Sequence, residues 1–275
     1  MKNRLIMLIT TAAMMVLAAL PAPWAHAYSS YAAMGDSVAA GAGLDISTSR
    51  SREDRACDRS AQAYPYYVAA TTGTDLQFLA CSGAKVDDGI YDDQRRGGVT
   101  LPPQLDEAFS SGTPQLITMT VGANDARWVQ FLKQCQVTRC GTSFDNARAK
   151  IYRADLRVEL YWSLYRINHM SAGDRPTVLL TGYYSPLGEE TCDNLSRITT
   201  AEQDWIRART ADLNQAIYSV TEWFDNAYYV DIDFSGHELC SSDPWIQGLS
   251  SPAPFHPNAA GQRAIADAVL TTLGY

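Results

Sequence analysis

Three short clusters of small and polar residues contain the groups that nucleophilic catalysis requires. They are Gly35-Asp36-Ser37, Cys81-Ser82-Gly83-Ala84 and Gly122-Ala123-Asn124-Asp125. The Ser37 hydroxyl is a candidate nucleophile, because a serine with small neighbours can present its side chain to a cleft. The backbone N–H groups of Ser37 and Gly83, with the Asn124 carboxamide, can donate to a developing oxyanion. Any one cluster alone is more typical of a turn, so the hypothesis depends on whether the fold brings the three together.

The candidate nucleophile needs a general base, and three histidines follow residue 27. His169 lies late in a segment of helical pattern and fits a helix end. His237 follows Asp231-Ile-Asp-Phe-Ser-Gly236, which resembles the start of a calcium loop, but Ser242 stands where such a loop requires glutamate. His256 lies in a proline-rich loop just before a helical segment, where an imidazole can reach a strand end. We therefore predict that His256 is the base and that the protein needs no metal or other cofactor.

The elements that would position these groups follow an α/β pattern. Apolar runs of strand length alternate with longer segments of helical period, which predicts a parallel sheet with helices on both faces. The five predicted strands are Tyr31–Met34, Leu76–Ala80, Leu116–Val121, Thr177–Thr181 and Tyr228–Ile232. The three clusters follow the first three strands. Since ligands bind at the carboxyl ends of strands in an open parallel sheet, we expect the clusters to line one crevice.

Two helices are clear from their apolar periodicity. Thr200–Phe224 has one apolar face, and Thr200 with Gln203 can form a capping box. Ala259–Leu273 has a similar stripe, with Asn258 as its N-cap. Weaker patterns predict helices at Tyr64–Thr71, Gln104–Phe109 and Ile151–Met170. Polar stretches without a period indicate loops on the crevice side, at residues 45–58 and 86–99.

The first 27 residues have the pattern of a signal peptide. Lys2 and Arg4 precede an apolar run to Leu20, and Ala25-His26-Ala27 has the small residues of a cleavage site. We expect cleavage near Ala27 and secretion of the remainder. That remainder, residues 28–275, has the length of a single α/β domain.

The remainder is acidic, with 20 basic against 30 acidic residues and a net charge of −10 when the histidines are neutral. A polyanion would be repelled, and no basic stripe with interleaved aromatic residues is present, so we expect no nucleic-acid partner. No later segment is apolar enough to cross a membrane, so we expect no stable membrane insertion. The composition favours a soluble monomer acting on a small-molecule or lipid substrate.

All six cysteines lie after the leader. An even number in an exported chain predicts three disulfides, with fifteen pairings open. None has the C-x-x-C spacing of a zinc ribbon or a redox pair. The cysteines are Cys57, Cys81, Cys135, Cys140, Cys192 and Cys240.

The order of the motifs resembles that of the SGNH hydrolases, also called the GDSL lipase/esterase family. The motifs are Gly35-Asp36-Ser37, Gly83, Gly122-x-Asn124-Asp125 and His256-Pro257-Asn258 with Gly261. The similarity spans nearly the whole chain after the leader. Cys81-Ser-Gly-Ala and Gly236-His-Glu-Leu-Cys240 look most like the secreted actinobacterial lipases and esterases within the family.

This resemblance implies a three-layer α/β/α, flavodoxin-like fold with a five-stranded parallel sheet. It also implies that Ser37 is the nucleophile and His256 the base, and that Ser37, Gly83 and Asn124 form the oxyanion hole. The disulfide pairs that it implies are Cys57 with Cys81, Cys135 with Cys140, and Cys192 with Cys240.

The chain departs from the family at Ala253. Most members have an aspartate three residues before the histidine, so a Ser-His-Asp triad is not supported at this position. Some relatives among the secreted esterases orient the histidine with a main-chain carbonyl instead. We expect the Ala253 carbonyl to do so here.

The predicted function is that of a secreted, cofactor-free serine ester hydrolase that acts through an acyl-enzyme, on lipid esters in particular. A phospholipase or a carbohydrate acetyl esterase of the same family stays open. An alternative of another class is a catalytically weak exported binding protein on a hydrolase scaffold. The first strand lacks the Gly-x-Ser-x-Gly elbow of α/β hydrolases, and the chain has no Walker A loop and no His-Glu-x-x-His motif.

Overall fold

The computed structural model describes residues 28–45, 51–171, 173–192, 195 and 197–275. The predicted signal peptide, residues 1–27, lies outside the described residues, as does part of the loop predicted at residues 45–58.

Strands that match the predicted apolar runs form the centre of the protein. In the described residues they are β1 (Ser30–Gly35), β2 (Asp75–Phe78), β3 (Gln94–Arg96), β4 (Val99–Leu101), β5 (Leu116–Thr120), β6 (Thr177–Thr181) and β7 (Ala227–Val230). Five of them form one parallel sheet in the order β2-β1-β5-β6-β7. Every residue of β5 is buried, as expected for a central strand covered on both faces. The five predicted strands are confirmed, with ends that differ by at most two residues.

Helices connect the strands. In the described residues they are α1 (Ser37–Ala40), α2 (Arg52–Ala56), α3 (Tyr64–Thr72), α4 (Gln104–Ala108), α5 (Trp128–Val137), α6 (Ser143–Met170), α7 (Thr200–Thr221) and α8 (Ala259–Leu273). Helix α3 packs against α8, and α6 packs against α7. Because parallel crossovers are right-handed, the connection from β1 to β2 and those from β5 to β7 place their helices on opposite faces of the sheet. The predicted three-layer α/β/α fold is confirmed.

Numbered along the sheet strands alone, the order is 2-1-3-4-5, which is the flavodoxin-like order. The connections from β1 and β5 leave in opposite directions, so a crevice opens between the carboxyl ends of these two strands. The Ser37 cluster follows β1 and the Asn124 cluster follows β5. The topology therefore places both clusters at the same switch point.

Side-chain hydrogen bonds cap the first turns of α7 and α8. The capping box of α7 is formed by Thr199 and Glu202, and the box predicted at Thr200 and Gln203 is wrong. The Glu202 carboxylate also accepts the backbone N–H of Cys140 at 3.1 Å, which favours Thr199 as the N-cap, while the helix begins at Thr200 as predicted and ends three residues before the predicted Phe224. The predicted N-cap of α8 is confirmed: the Asn258 side chain accepts the backbone N–H groups of Ala260 and Gly261, at 2.9 and 3.0 Å.

Other elements lie where the sequence predicted none. Helix α6 begins eight residues before the predicted Ile151, because Thr142 and Asp145 form a capping box there. Helix α5 was not predicted, and α2 lies within the loop predicted at residues 45–58. Strands β3 and β4 form a hairpin that begins inside the loop predicted at residues 86–99. Its turn residues, Gly97 and Gly98, have φ angles of 57° and 74°, which a two-residue hairpin of this kind requires.

Three disulfide bridges join the cysteine pairs that the family resemblance implies. The bridges are Cys57–Cys81, Cys135–Cys140 and Cys192–Cys240. The first links the segment after α2 to the cluster after β2 and so fastens one wall of the crevice. Across the described ranges, we find no helix long and apolar enough to cross a bilayer.

Candidate active site

The turn that carries Ser37 begins at the last residue of β1. Gly35 has a φ angle of 141°, and a Cβ atom there would lie 2.3 Å from the carbonyl oxygen of Thr120 in β5. Only glycine fits so close to the neighbouring strand. Asp36 then caps α1 by accepting the backbone N–H of Val38 at 2.9 Å. Ser37 is thereby held as the first residue of α1, at the mouth of the crevice and partly exposed.

The imidazole of His256 lies directly against this serine. Its Nε2 atom is 2.7 Å from the Ser37 hydroxyl oxygen. Its Nδ1 atom is 3.1 Å from the carbonyl oxygen of Pro254. A carbonyl oxygen can only accept, so Nδ1 carries the proton in the neutral ring and Nε2 presents its lone pair to the serine. This is the tautomer that a general base requires.

The carbonyl that faces Nδ1 differs from the expected one. The residue expected in this role is Ala253, but the carbonyl 3.1 Å from Nδ1 belongs to Pro254. The Ala253 carbonyl accepts the backbone N–H of His256 at 3.2 Å. Phe255 explains the difference, because its φ angle of 68° turns the chain back between Pro254 and the histidine.

Backbone and side-chain hydrogen bonds fix the loop that carries His256. Gln247 donates its backbone N–H to the His256 carbonyl at 2.7 Å and accepts the backbone N–H of Phe255 at 3.1 Å. The side chain of Gln247 donates to the carbonyl of Ala42 at 2.8 Å, beyond the end of α1. The hydroxyl of Tyr184 donates to the Phe255 carbonyl at 2.7 Å. The histidine loop is therefore tied directly to the segment that carries the serine.

The environment of His256 favours the neutral imidazole. Burial is the largest effect and lowers its pKa below the usual 6.5. The carbonyls of Pro254 and Ala253 and the charge of Asp58 act in the opposite direction, while the charge of Lys133 lowers the pKa further. The net effect is a lowered pKa, so the ring is ready to accept a proton at neutral pH.

Backbone contacts join the three sequence clusters. The Cys81 N–H donates to the Gly35 carbonyl at 2.9 Å, and the Asp36 N–H donates to the Thr120 carbonyl at 2.8 Å. The Asn124 carboxamide donates to the Ala84 carbonyl at 2.9 Å. The structure thus brings the clusters to one crevice, as the sequence predicted.

The crevice contains hydrogen-bond donors that can bind an oxyanion. Among the described residues, the backbone N–H groups of Ser37 and Gly83 have no acceptor. The Asn124 amide has two N–H bonds, and one of them is used by the Ala84 carbonyl. The crevice therefore offers up to three donors to a ligand oxygen.

A buried tyrosine that is not among the predicted site residues connects two of the clusters. The Tyr183 hydroxyl donates to the Asp36 carboxylate at 2.7 Å and accepts the Ala123 N–H at 3.2 Å. Burial is the main cause that raises the pKa of Asp36 to about 7. Tyr183 follows the fourth sheet strand, β6, but nothing in the local pattern links it to Asp36, which lies 147 residues earlier.

Two buried glutamines also support the nucleophile turn. Gln104 accepts the Gly35 N–H at 2.7 Å and donates to the Gly35 carbonyl at 3.0 Å. Gln262, on α8, donates to the Val38 carbonyl at 2.9 Å and accepts the Tyr64 N–H at 2.8 Å. Gln104 holds the last residue of β1, and Gln262 ties α1 and α3 to α8.

The other two histidines lie elsewhere. His237 stacks on Trp245 with ring centroids 3.6 Å apart, and its Nδ1 atom is 2.8 Å from the Asp243 carbonyl. His169 stacks on Tyr165 near the end of α6. Asp233, in the segment that resembles a calcium loop, accepts the backbone N–H of Ser235 at 2.8 Å. We find no group of residues suited to a metal in the described parts of the chain.

Comparison with known proteins gives the enzyme family that the sequence motifs resemble. The profile of the GDSL-like Lipase/Acylhydrolase family matches residues 33–264. A lipase from Streptomyces rimosus is 32% identical over 253 residues, which cover 89% of this chain and 86% of the relative.

Solved structures agree. The extracellular lipase from Streptomyces rimosus superposes with a TM-score of 0.72 at 27% identity, covering 89% of this chain and 99% of that one. Phospholipase A1 from Streptomyces albidoflavus NA297 superposes with a TM-score of 0.68 at 25% identity, with the same coverage. These similarities identify the protein as a carboxylic ester hydrolase. It belongs to the GDSL-like Lipase/Acylhydrolase family, as the order of its motifs predicted.

Proposed function

We propose that the protein is a secreted lipase or esterase that hydrolyses lipid esters through an acyl-enzyme on Ser37. The observation that carries the proposal is the 2.7 Å contact between the Ser37 hydroxyl and Nε2 of His256, in a ring whose Nδ1 faces a carbonyl. A serine hydroxyl is a weak nucleophile until a base accepts its proton, and this contact provides the base.

In the first half of the reaction, the Ser37 oxygen attacks the ester carbonyl carbon while His256 takes the hydroxyl proton at Nε2. The carbonyl oxygen becomes an oxyanion, which the N–H groups of Ser37 and Gly83 and the Asn124 amide stabilise. The tetrahedral intermediate then collapses. The bond to the alcohol breaks, and His256 returns the proton to the leaving oxygen.

In the second half, water replaces the alcohol. His256 takes a proton from the water, the resulting hydroxide attacks the acyl carbon, and the bond to Ser37 breaks as its oxygen recovers the proton. The imidazolium that forms in each half needs a partner for Nδ1–H. We assign this task to the carbonyl of Pro254, with that of Ala253 close by, in place of the aspartate of a triad.

Lipid esters are the favoured substrates because the similar proteins are called lipases, and one of the solved structures is a phospholipase A1. Export is supported by the signal-peptide pattern of residues 1–27, by three disulfides and by the similarity to an extracellular lipase. On this proposal the active form is the single domain of residues 28–275.

A panel of p-nitrophenyl esters of rising acyl length, run on purified residues 28–275, tests the proposal. We expect hydrolysis that depends on chain length and is essentially abolished by Ser37→Ala. Ser241→Ala is the matched control, because the Ser241 hydroxyl is buried and has no partner among the described residues. Circular dichroism verifies folding. Turnover near wild type in folded Ser37→Ala would refute the nucleophile, and absence of turnover on every ester, an acetylated sugar included, would favour a binding protein.

A further inference from the structure

Helix α6 has an apolar stripe on the side that faces solvent. Five large side chains on this side are between 49% and 67% exposed: Phe144, Ile151, Val158, Trp162 and Tyr165. They recur every three, four or seven residues, which places them on one helix face. The opposite face of α6 is also apolar and is buried in the core. We call the exposed set the outer stripe of α6.

Aromatic rings extend the outer stripe across to α7. The Trp162 ring lies 5.7 Å from that of Tyr161 and 5.4 Å from that of Tyr165. Tyr161 in turn lies 5.3 Å from Phe224, just after α7. Trp223 beside it is 72% exposed. A continuous exposed surface of this kind is rare on a monomer and marks an interaction site.

A groove in this surface lies between the two helices. Its volume is 280 Å³, and its lining is apolar except for one arginine: Ala154, Arg157, Val158, Tyr161, Val220 and Trp223. An apolar groove with a cation at its rim fits an acyl chain that bears an anionic head group.

The charge of α6 is opposite to that of the whole chain. The helix has five basic and three acidic residues, whereas the chain has 22 basic and 30 acidic residues. Lys150 and Arg157 are exposed beside the outer stripe, and Asp155 is the exposed acid near them. Of the other two acids, Asp145 is buried in the N-terminal cap, and burial is the main cause that raises the pKa of Glu159 to about 7. Helix α6 therefore has an excess of cations on an anionic protein, and the exposed Glu222 beside Trp223 is an acid at the edge of this surface.

We propose that the outer stripe of α6, with Trp223 and the cations Lys150 and Arg157, docks the enzyme on an anionic phospholipid surface. Tryptophan and tyrosine suit this role because their rings are apolar and their polar edges prefer the head-group level. Lysine and arginine beside them attract lipid phosphates. The rest of the acidic surface is repelled by such a membrane, so the charge distribution selects this face for contact.

A second copy of the chain is a poorer occupant. A symmetric contact between two copies would place Lys150 and Arg157 of one copy near the same cations of the other, whereas lipid phosphates attract them. The N-terminal half of α6 also lies beside the catalytic crevice. The Arg127 guanidinium, three residues after Asn124, lies 5.3 Å from the Tyr152 ring centroid.

Vesicle co-sedimentation of the Ser37→Ala protein tests the proposal without hydrolysis of the lipid. The probes are vesicles of phosphatidylcholine alone and vesicles of equal parts phosphatidylcholine and phosphatidylglycerol. We expect binding to the mixed vesicles that weakens with salt. Arg157→Gln and Lys150→Gln should each weaken it by about fivefold. Val158→Gln combined with Trp162→Gln should weaken it by at least about tenfold, since two interfacial apolar side chains are removed.

Tyr66→Gln is the matched control, because Tyr66 is an exposed aromatic residue on α3, in the other helical layer. It should bind vesicles as the parent does. Binding that is equal for all variants, or no binding of the parent to mixed vesicles, overturns the proposal. A dimer in analytical ultracentrifugation that the double variant dissociates, without vesicle binding, would assign the stripe to a second copy.

The inference rests on the proposed function only for the nature of the substrate. With Ser37 restored, the stripe variants should hydrolyse a soluble short-chain ester at the parent rate. Loss of that activity in all forms, with vesicle binding intact, would refute the ester hydrolase mechanism and leave the docking surface standing.

Discussion

Asparagine substitution of the carboxylates near His256 is expected to leave ester hydrolysis within about tenfold of wild type, whereas loss of a triad aspartate costs about 10⁴-fold in turnover. The candidates nearest along the sequence are Asp231, Asp233 and Asp243. Asp58 is added because its charge raises the pKa of His256.

Each of these carboxylates has another partner in the structure. Asp231 accepts the Tyr229 hydroxyl at 3.4 Å, Asp233 accepts the Ser235 N–H at 2.8 Å, and Asp243 lies 3.3 Å from Nδ1 of His237. Asp58 pairs with Arg96 at 2.6 Å.

The magnitude follows from these contacts. The partner of Nδ1 is the Pro254 carbonyl at 3.1 Å, which no side-chain substitution removes. Asp58 acts on His256 only through its charge, and its side chain is 37% exposed, so solvent screens the interaction. A screened interaction of this kind is worth at most about 1 kcal/mol, or about fivefold in rate. His256→Ala removes the base itself and should cost at least about 10⁴-fold.

The assay is kcat/KM on a soluble p-nitrophenyl ester for the four Asp→Asn variants and for His256→Ala. Circular dichroism establishes that each variant is folded. The reasoning is refuted if one folded Asp→Asn variant loses as much activity as His256→Ala. That result would mean that a displaced carboxylate orients the histidine and completes an ordinary triad.

Four further outcomes are expected. Asn124→Ala should lower kcat by about 10²- to 10³-fold, and a loss of only a few-fold in steady-state assays would make Asn124 a turn residue. Tyr183→Phe removes the buried hydroxyl between Asp36 and Ala123, so it should lower kcat at least tenfold with little change in KM, and cost about 1–3 kcal/mol in denaturant unfolding; a change confined to stability would contradict a positioning role. The acid limb of the kcat/KM profile should fall below pH 6.5, because burial lowers the pKa of His256 and the neutral ring is the active form; an inflection at or above that pH contradicts the assignment. Thiol titration of denatured protein should find no free cysteine, and reduction should cost about 2–5 kcal/mol per bridge; two reactive thiols would contradict three disulfides.

The sheet could be predicted from the sequence because buried parallel strands are short apolar runs that local composition identifies. Helix α6 shows where this reasoning fails. Its first three turns contain Phe144 and Ile151, which face solvent and so do not follow the period of a core-facing helix. Its start is set by the Thr142 and Asp145 capping box. These exposed residues, which obscure the start of α6 in the sequence pattern, belong to the proposed docking surface.

The candidate site could be predicted at the ends of β1, β2 and β5, because the residues with suitable chemistry directly follow these strands in the sequence. The supporting residues were not, because they act across long separations. Tyr183 and Asp36 are 147 residues apart, Gln104 and Gly35 are 69 apart, and Gln262 and Val38 are 224 apart. A local pattern contains no signal for such pairs. The shift from Ala253 to Pro254 depends on one φ angle, at Phe255, which composition does not determine.

The central claim is that the acyl group passes through Ser37, and trapping that intermediate tests it most directly. Protein mixed with a p-nitrophenyl ester and quenched in acid within one turnover should gain the mass of one acyl group, located by peptide mapping at Ser37. Ser37→Ala should show no such gain. An acyl group on another residue, or steady hydrolysis by the folded Ser37→Ala protein, would contradict the account.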